Sequence, residues 1–93
     1  MSDRFDELRS SIDRVDERIL TAVNERLRLV EELWRLKTEL GVDRVDPGRE
    51  QEIRDALRAL NAGPLTDEGV DELIVGLLSL TKREQQRRDQ RLM

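Results

Sequence analysis

From Phe5 to Leu40 the apolar residues return with a heptad period. With Phe5 at position a, the a positions are Phe5, Ile12, Ile19, Arg26, Leu33 and Leu40, and the d positions are Leu8, Val15, Ala22, Leu29 and Leu36. All but Arg26 are apolar, and Val23 and Val30 widen the stripe on its e side, beyond a bare coiled-coil seam. No Pro or Gly intervenes before Gly41, a residue suited to a left-handed helix stop. The pattern predicts one helix over about residues 3–40. A rod of roughly 54 Å with such a stripe needs a partner along its length.

Two shorter helices follow. After a loop from Val42 to Val45, Asp46-Pro47 predicts a helix over about 47–60, with Asp46 as N-cap and Pro47 at the first helical position. Ile53, Ala56, Leu57 and Leu60 form its apolar face. Asn61-Ala62-Gly63-Pro64 reads as a turn, and Thr66 as the cap of a third helix over about 67–88. Val70, Leu73, Ile74, Leu77, Leu78 and Thr81 line one side of that helix. Gly69 and Gly76 weaken it locally, and close packing would explain them. The fold class expected is all-α, three helices in a single domain over residues 1–93.

Composition narrows the chemistry. Ninety-three residues that are 41% charged and 37% apolar cannot bury a deep core, and oligomerisation is the usual remedy. With no Cys or His, thiolate and imidazole metal sites, cysteine nucleophiles and serine–histidine pairs are excluded. No metal site is expected. No run is long enough to span a membrane and no signal-peptide core opens the chain, so a soluble, cytoplasmic protein is expected. From Lys82 onward five basic and two acidic side chains make the tail +3, within a chain of net charge −4. Basic residues at a helix end complement its dipole. A nucleic-acid surface is the competing use of the tail, but the overall charge and the lack of an aromatic there argue against it.

Several polar residues do not suit a bare scaffold. Arg26 sits in mid-stripe, where an unpaired guanidinium costs several kcal/mol (roughly 3–5). It reads either as a register-setting residue paired to Glu25 or Glu31, or as a ligand clamp. Lys37, eleven residues on, points the same way about 16 Å further along the helix. It reads as a snorkelling lysine or as a second cation for the same ligand. Arg9 lies about 25 Å from Arg26 and about 100° around the rod. It is either solvated or shared with an antiparallel second chain. Asp46 and Glu50 suit helix-start chemistry, and Thr81 and Gln85 the polar end of an amphipathic face. Together, cations, a capped helix start and a terminal amide suit a small dianion.

These residues resemble the all-helical chorismate mutase family over Phe5 to about Gln86. The resemblance rests on Leu8-Arg9-x-x-Ile12-Asp13-x-x-Asp16, Glu25-Arg26, Lys37, Asp46-x-x-Arg49-Glu50 and Gln85. It implies an intertwined homodimeric bundle with antiparallel first helices and two equivalent sites. The implied reaction is the pericyclic rearrangement of chorismate to prephenate in phenylalanine and tyrosine biosynthesis. That reaction uses no cofactor, nucleophile or base. It needs a clamp for the compact geometry and donors to the ether oxygen that gains charge. On the family's pattern Arg26, and Arg9 from the partner chain, hold carboxylates, while Lys37 and Gln85 donate to the ether oxygen. Glu50 with the Asp46 segment recognises the ring hydroxyl. Arg49 braces the site, Thr81 stands near a carboxylate where serine is common, and Val30 and Leu33 form an apolar wall. Trp34, pointing off the seam, has no assigned part. The resemblance also implies a monofunctional enzyme, with a pathway synthase as a candidate partner and neither nucleic acid nor membrane.

Three rivals remain on the sequence. Isochorismate pyruvate lyase shares the fold, but its loop before the second helix tends to lack the Asp46, Arg49 and Glu50 set. A mutase for 4-amino-4-deoxychorismate differs at the group Glu50 would contact. A helical dimerisation module without activity would use the stripe alone.

Overall fold

The structure, a computed structural model, describes residues 2–92 and contains three helices: α1 (Asp3–Leu40), α2 (Arg49–Leu60) and α3 (Asp67–Leu92). They fall into two compact units divided between Arg44 and Val45.

The first unit is α1 and the loop after it. Ser2 caps α1: its hydroxyl accepts from the Phe5 N–H at 3.2 Å, and Asp3 and Asp6 place negative charge in the first turn. The helix stops at Gly41, whose φ of 67° is the left-handed conformation expected of it. The Gly41 N–H donates to the Thr38 carbonyl at 3.2 Å, and the Val42 N–H to the Lys37 carbonyl at 2.8 Å. That pair of bonds is a Schellman closure, and it satisfies two carbonyls the helix would leave open.

No residue of α1 is buried. The apolar a and d side chains larger than alanine are between 41% and 68% exposed. The heptad stripe is therefore present and uncovered.

The second unit pairs α2 with α3. Val70 and Ile74 of α3 are buried, with Ile53 and Leu57 of α2 and Leu77 and Leu78 of α3 half-buried. Three residues expected on these faces lie outside them, among them the small Ala56 of α2. Leu60, at the end of α2, and Leu73, on the flank of the α3 face, are both exposed. Arg58 Nε donates to Asp71 Oδ1 at 3.1 Å, and Arg58 Nη2 pairs with Asp71 Oδ2. This two-point bridge joins the last turn of α2 to the start of α3. The Asp71 hydrogen bond, and then its charge, raise the Arg58 guanidinium above its usual pKa. A raised cation contributes its stability below the unfolded value and loses it only above the folded one. The bridge therefore adds no pH dependence near neutrality.

The start of α2 differs from expectation. Asp46 does not cap with its side chain, and Pro47 is not helical. Residues 46–49 form a turn instead: the Arg49 N–H donates to the Asp46 carbonyl at 3.1 Å, and Gly48 has φ 87° and ψ −12°. Those angles are those of the third residue of a type II turn, which favours Pro before Gly. Pro-Gly satisfies the turn better than the first helical turn, so the helix begins at Arg49. Thr66 does cap α3, its hydroxyl accepting from the Gly69 N–H at 3.0 Å.

α3 itself runs four residues further than the basic tail suggested. An i,i+3 pair, Glu84–Arg87, lies near the start of that tail. A methyl group on Gly69 would lie 2.5 Å from Leu65 Cδ1, so close packing holds there. A methyl group on Gly76 would meet nothing within 4 Å among the described residues beyond its own helix backbone, so close packing does not account for it.

The turn assignment gives a test. Gly48→Ala should lower stability by about 1 kcal/mol, because alanine is strained at positive φ. Asp46→Ala should change it by less than about 0.5 kcal/mol, because no side-chain cap is lost. Urea unfolding of both variants checks this, and a larger loss for Asp46→Ala would overturn the turn.

Candidate active site

α1 carries five of the residues singled out from the sequence. Arg26, Val30, Leu33 and Lys37 share one side of the helix, within a wedge of roughly 60°. Arg26, Val30 and Lys37 are half-buried, and Leu33 is exposed. Arg9, about 25 Å from Arg26 by helix rise, lies over its own neighbour's ring, with its guanidinium carbon 4.5 Å from the Phe5 centroid.

Lys37 is held at its tip. Its ammonium donates to the Arg44 carbonyl at 3.2 Å, across the loop. The Arg44 guanidinium lies 5.1 Å from the centre of the Trp34 ring. The Thr38 hydroxyl donates back to the Trp34 carbonyl at 3.0 Å. Trp34, which had no place in the sequence reading, thus folds the loop back on the helix beside Lys37. No spacing rule signals this, since the contact depends on how Gly41 turns the chain.

The remaining candidates belong to the second unit. Asp46 is the first residue of the turn, and Arg49 and Glu50 open α2. Arg49 pairs with Glu52 at 3.2 Å, and Glu50 Oε1 accepts from Arg54 Nη2 at 2.9 Å. Thr81 is buried on α3, and its hydroxyl donates to the Leu77 carbonyl at 2.7 Å. Gln85, one turn on, is half-buried. The structure therefore gathers the candidates into two sets, one on α1 and one on α2–α3. Arg54 was missed from the sequence, although Glu50-x-x-x-Arg54 is the spacing of a helical ion pair.

Among the described residues no group of acidic side chains is placed to hold a metal ion, and no helix is long and apolar enough to cross a membrane. Two shallow depressions on the N-terminal half of α1, one lined by Asp3, Arg4, Glu7 and Arg14, contain none of the candidates.

Comparison with known proteins shows the family. The profile described as chorismate mutase type II matches residues 8–86. The chain belongs to that family. It is 33% identical over 78 residues to a chorismate mutase of Methanocaldococcus jannaschii, covering 84% of this chain and 79% of the relative. It is 35% identical over 85 residues to a bifunctional chorismate mutase/prephenate dehydratase of Aquifex aeolicus, but covers only 24% of that protein. Two solved forms of a chorismate mutase from Thermus thermophilus superpose with TM-scores of 0.83 and 0.80, at 40% and 42% identity. They cover 91% and 85% of this chain and 97% and 99% of the solved ones. The family's all-helical architecture is the one observed here. A dimerisation module without activity falls away.

The α2–α3 bridge can be tested apart from the chemistry. Asp71→Asn should lower the melting temperature at low salt, and the deficit should shrink in high salt as screening weakens the native pair. A deficit that ignores salt would assign Asp71 a packing role instead.

Proposed function

We propose that the chain carries out its family's reaction, chorismate to prephenate in aromatic amino-acid biosynthesis, as an antiparallel homodimer with each site drawn from both chains. The observation that carries this reading is the uncovered stripe of α1. In an antiparallel pair, a residues of one helix layer against d residues of the other. One register pairs Phe5 with the partner's Leu36, Leu8 with the partner's Leu33 and Ile12 with the partner's Leu29. It continues with Val15 against the partner's Arg26 and Ile19 against the partner's Ala22. That register sets Arg9 level with the partner's Glu32. Arg9 is then about 9 Å along the axis from the partner's Arg26 and about 8 Å from the partner's Lys37.

Neighbouring registers are poorer. A shift of one heptad in one direction leaves Leu33, Leu36 and Leu40 in water. The opposite shift brings the two Arg26 side chains within about 6 Å along the axis, which like charge opposes. Fully burying a Leu or Ile contributes roughly 1.5–3 kcal/mol, so even half of that over the seam exceeds a typical cost of association.

The chemistry then follows from charge and shape. Chorismate carries two carboxylates, which Arg26 and the partner's Arg9 hold in the compact reacting geometry. Breaking the C–O bond puts negative charge on the ether oxygen. Lys37 and Gln85 donate to that oxygen, an interaction stronger in the transition state than in the ground state. Only one of the three Lys37 donors is needed for the Arg44 carbonyl. Glu50 and the Asp46 turn accept from the ring hydroxyl, Arg49 braces that corner, and Thr81 adds a hydroxyl near a carboxylate. Val30 and Leu33 form the apolar wall. Bonds break and form within one molecule, so no covalent or acid–base step is required.

An absorbance assay for chorismate loss tests the reading directly. Arg9→Ala and Arg26→Ala chains should each be nearly inactive alone. Refolded together in equal amounts, half the dimers are mixed and each has one intact site, so about a quarter of wild-type activity should return. No recovery would rule out a shared site.

Gln85→Glu should be weak at neutral pH and gain activity as pH falls toward the ordinary Glu value of about 4.3, because only the protonated acid donates. A pH–rate profile no steeper than that of the parent would remove Gln85 from the ether oxygen.

A further inference from the structure

Arg54 is the most enclosed of the arginines in the four ion pairs described above. Its side chain is 30% exposed, against 61% for Arg49, which opens the same helix. Its Nε is buried and has no hydrogen-bond partner among the described residues. A buried N–H without an acceptor lowers stability, so a helix that retains one needs a compensating reason. The guanidinium shows where that reason lies. It is enclosed at Nε and directs Nη2 onto Glu50 Oε1 at 2.9 Å, while Oε2 accepts no hydrogen bond among the described residues. Glu50, its side chain 55% exposed, thus keeps one oxygen open among the described residues while the Arg54 guanidinium holds the other.

We infer that Arg54 is a positioning residue that sets substrate selectivity: by offsetting the charge of Glu50, it makes the site accept a neutral hydroxyl and resist an ammonium at the same ring position. The inference rests on the reading of Glu50 as the partner of the ring hydroxyl. A bare carboxylate attracts an ammonium more strongly than a hydroxyl, because full charges interact over the whole approach. A carboxylate paired with a guanidinium is nearly neutral at that range. It still accepts a hydrogen bond from a hydroxyl, but it offers an ammonium little net attraction and a nearby cation. Chorismate and 4-amino-4-deoxychorismate differ at this group alone, hydroxyl against an amine protonated near neutrality. The pair therefore acts as a charge filter between two substrates of nearly the same shape.

The test compares chorismate turnover with competitive inhibition by 4-amino-4-deoxychorismate in the intact protein. The inhibition constant is read against KM, so turnover of the amine is not required. Arg54→Leu should shift the ratio toward the amine by roughly tenfold. Arg54→Lys should keep the parent's ratio, because the charge is retained. A purely structural role for Arg54 would move the melting temperature, or both ligands equally, and leave the ratio unchanged. If Arg54→Leu loses its helical signal, Arg54→Gln makes the same comparison.

Glu50→Gln separates the two ways of being wrong. If that change leaves both ligands unaffected, Glu50 does not meet the ring and the inference falls with that reading. If Glu50→Gln weakens chorismate but neither Arg54→Leu nor Arg54→Gln alters the ratio, only the role given to Arg54 is overturned.

Discussion

Water lies against almost every apolar residue of α1, and the remaining architecture answers to that fact. The helix is 38 residues long and buries none of them. Helical propensity alone sustains marginal helices, so such a rod is secured by covering its apolar stripe. The same stripe contains Arg26, which is out of place in an apolar seam unless something anionic or shared meets it. Assembly and chemistry are therefore posed by one surface. The face proposed to meet a second copy is the face that carries the charge.

The second unit solves a smaller problem by other means. Its core is thin, with Val70 and Ile74 as its buried apolar members, and Arg58–Asp71 ties the two helices where apolar contact is sparse. The beginning of α2 and the later turns of α3 belong to this one compact unit. Glu50 and Gln85, proposed to meet neighbouring oxygens of one small molecule, sit on those two stretches. The ion pairs along α2 are local, yet Glu50–Arg54 differs from Arg49–Glu52 in its enclosure, and enclosure separates a fixed charge from a solvated one.

The sequence shows some of this directly and hides the rest for physical reasons. The heptad stripe, the stop at Gly41 and the cap at Thr66 are local rules, each legible from a few neighbouring residues. Asp46-Pro47-Gly48 misleads because Asp-Pro suits both a helix start and a tight turn, and only the glycine that follows favours the turn. The Arg58–Asp71 bridge spans thirteen residues across a turn and leaves no periodic trace. Trp34 and Arg44 meet only because the chain reverses after Gly41. As for the candidate site, its residue types and spacings are visible through family resemblance. Which oxygen of Glu50 is occupied, and by what, requires side chains in place.

Lys37 closes the helix with its carbonyl and reaches across the loop with its ammonium. The connector at residues 42–45 is thus no passive spacer, even though its residues are exposed. Adding or deleting one residue there would move the Arg44 carbonyl away from the amine it steadies, a change transmitted by tether rather than by contact with any ligand. Surface loops ordinarily drift freely in length over evolutionary time. This one has its far end tied to the lysine at its root.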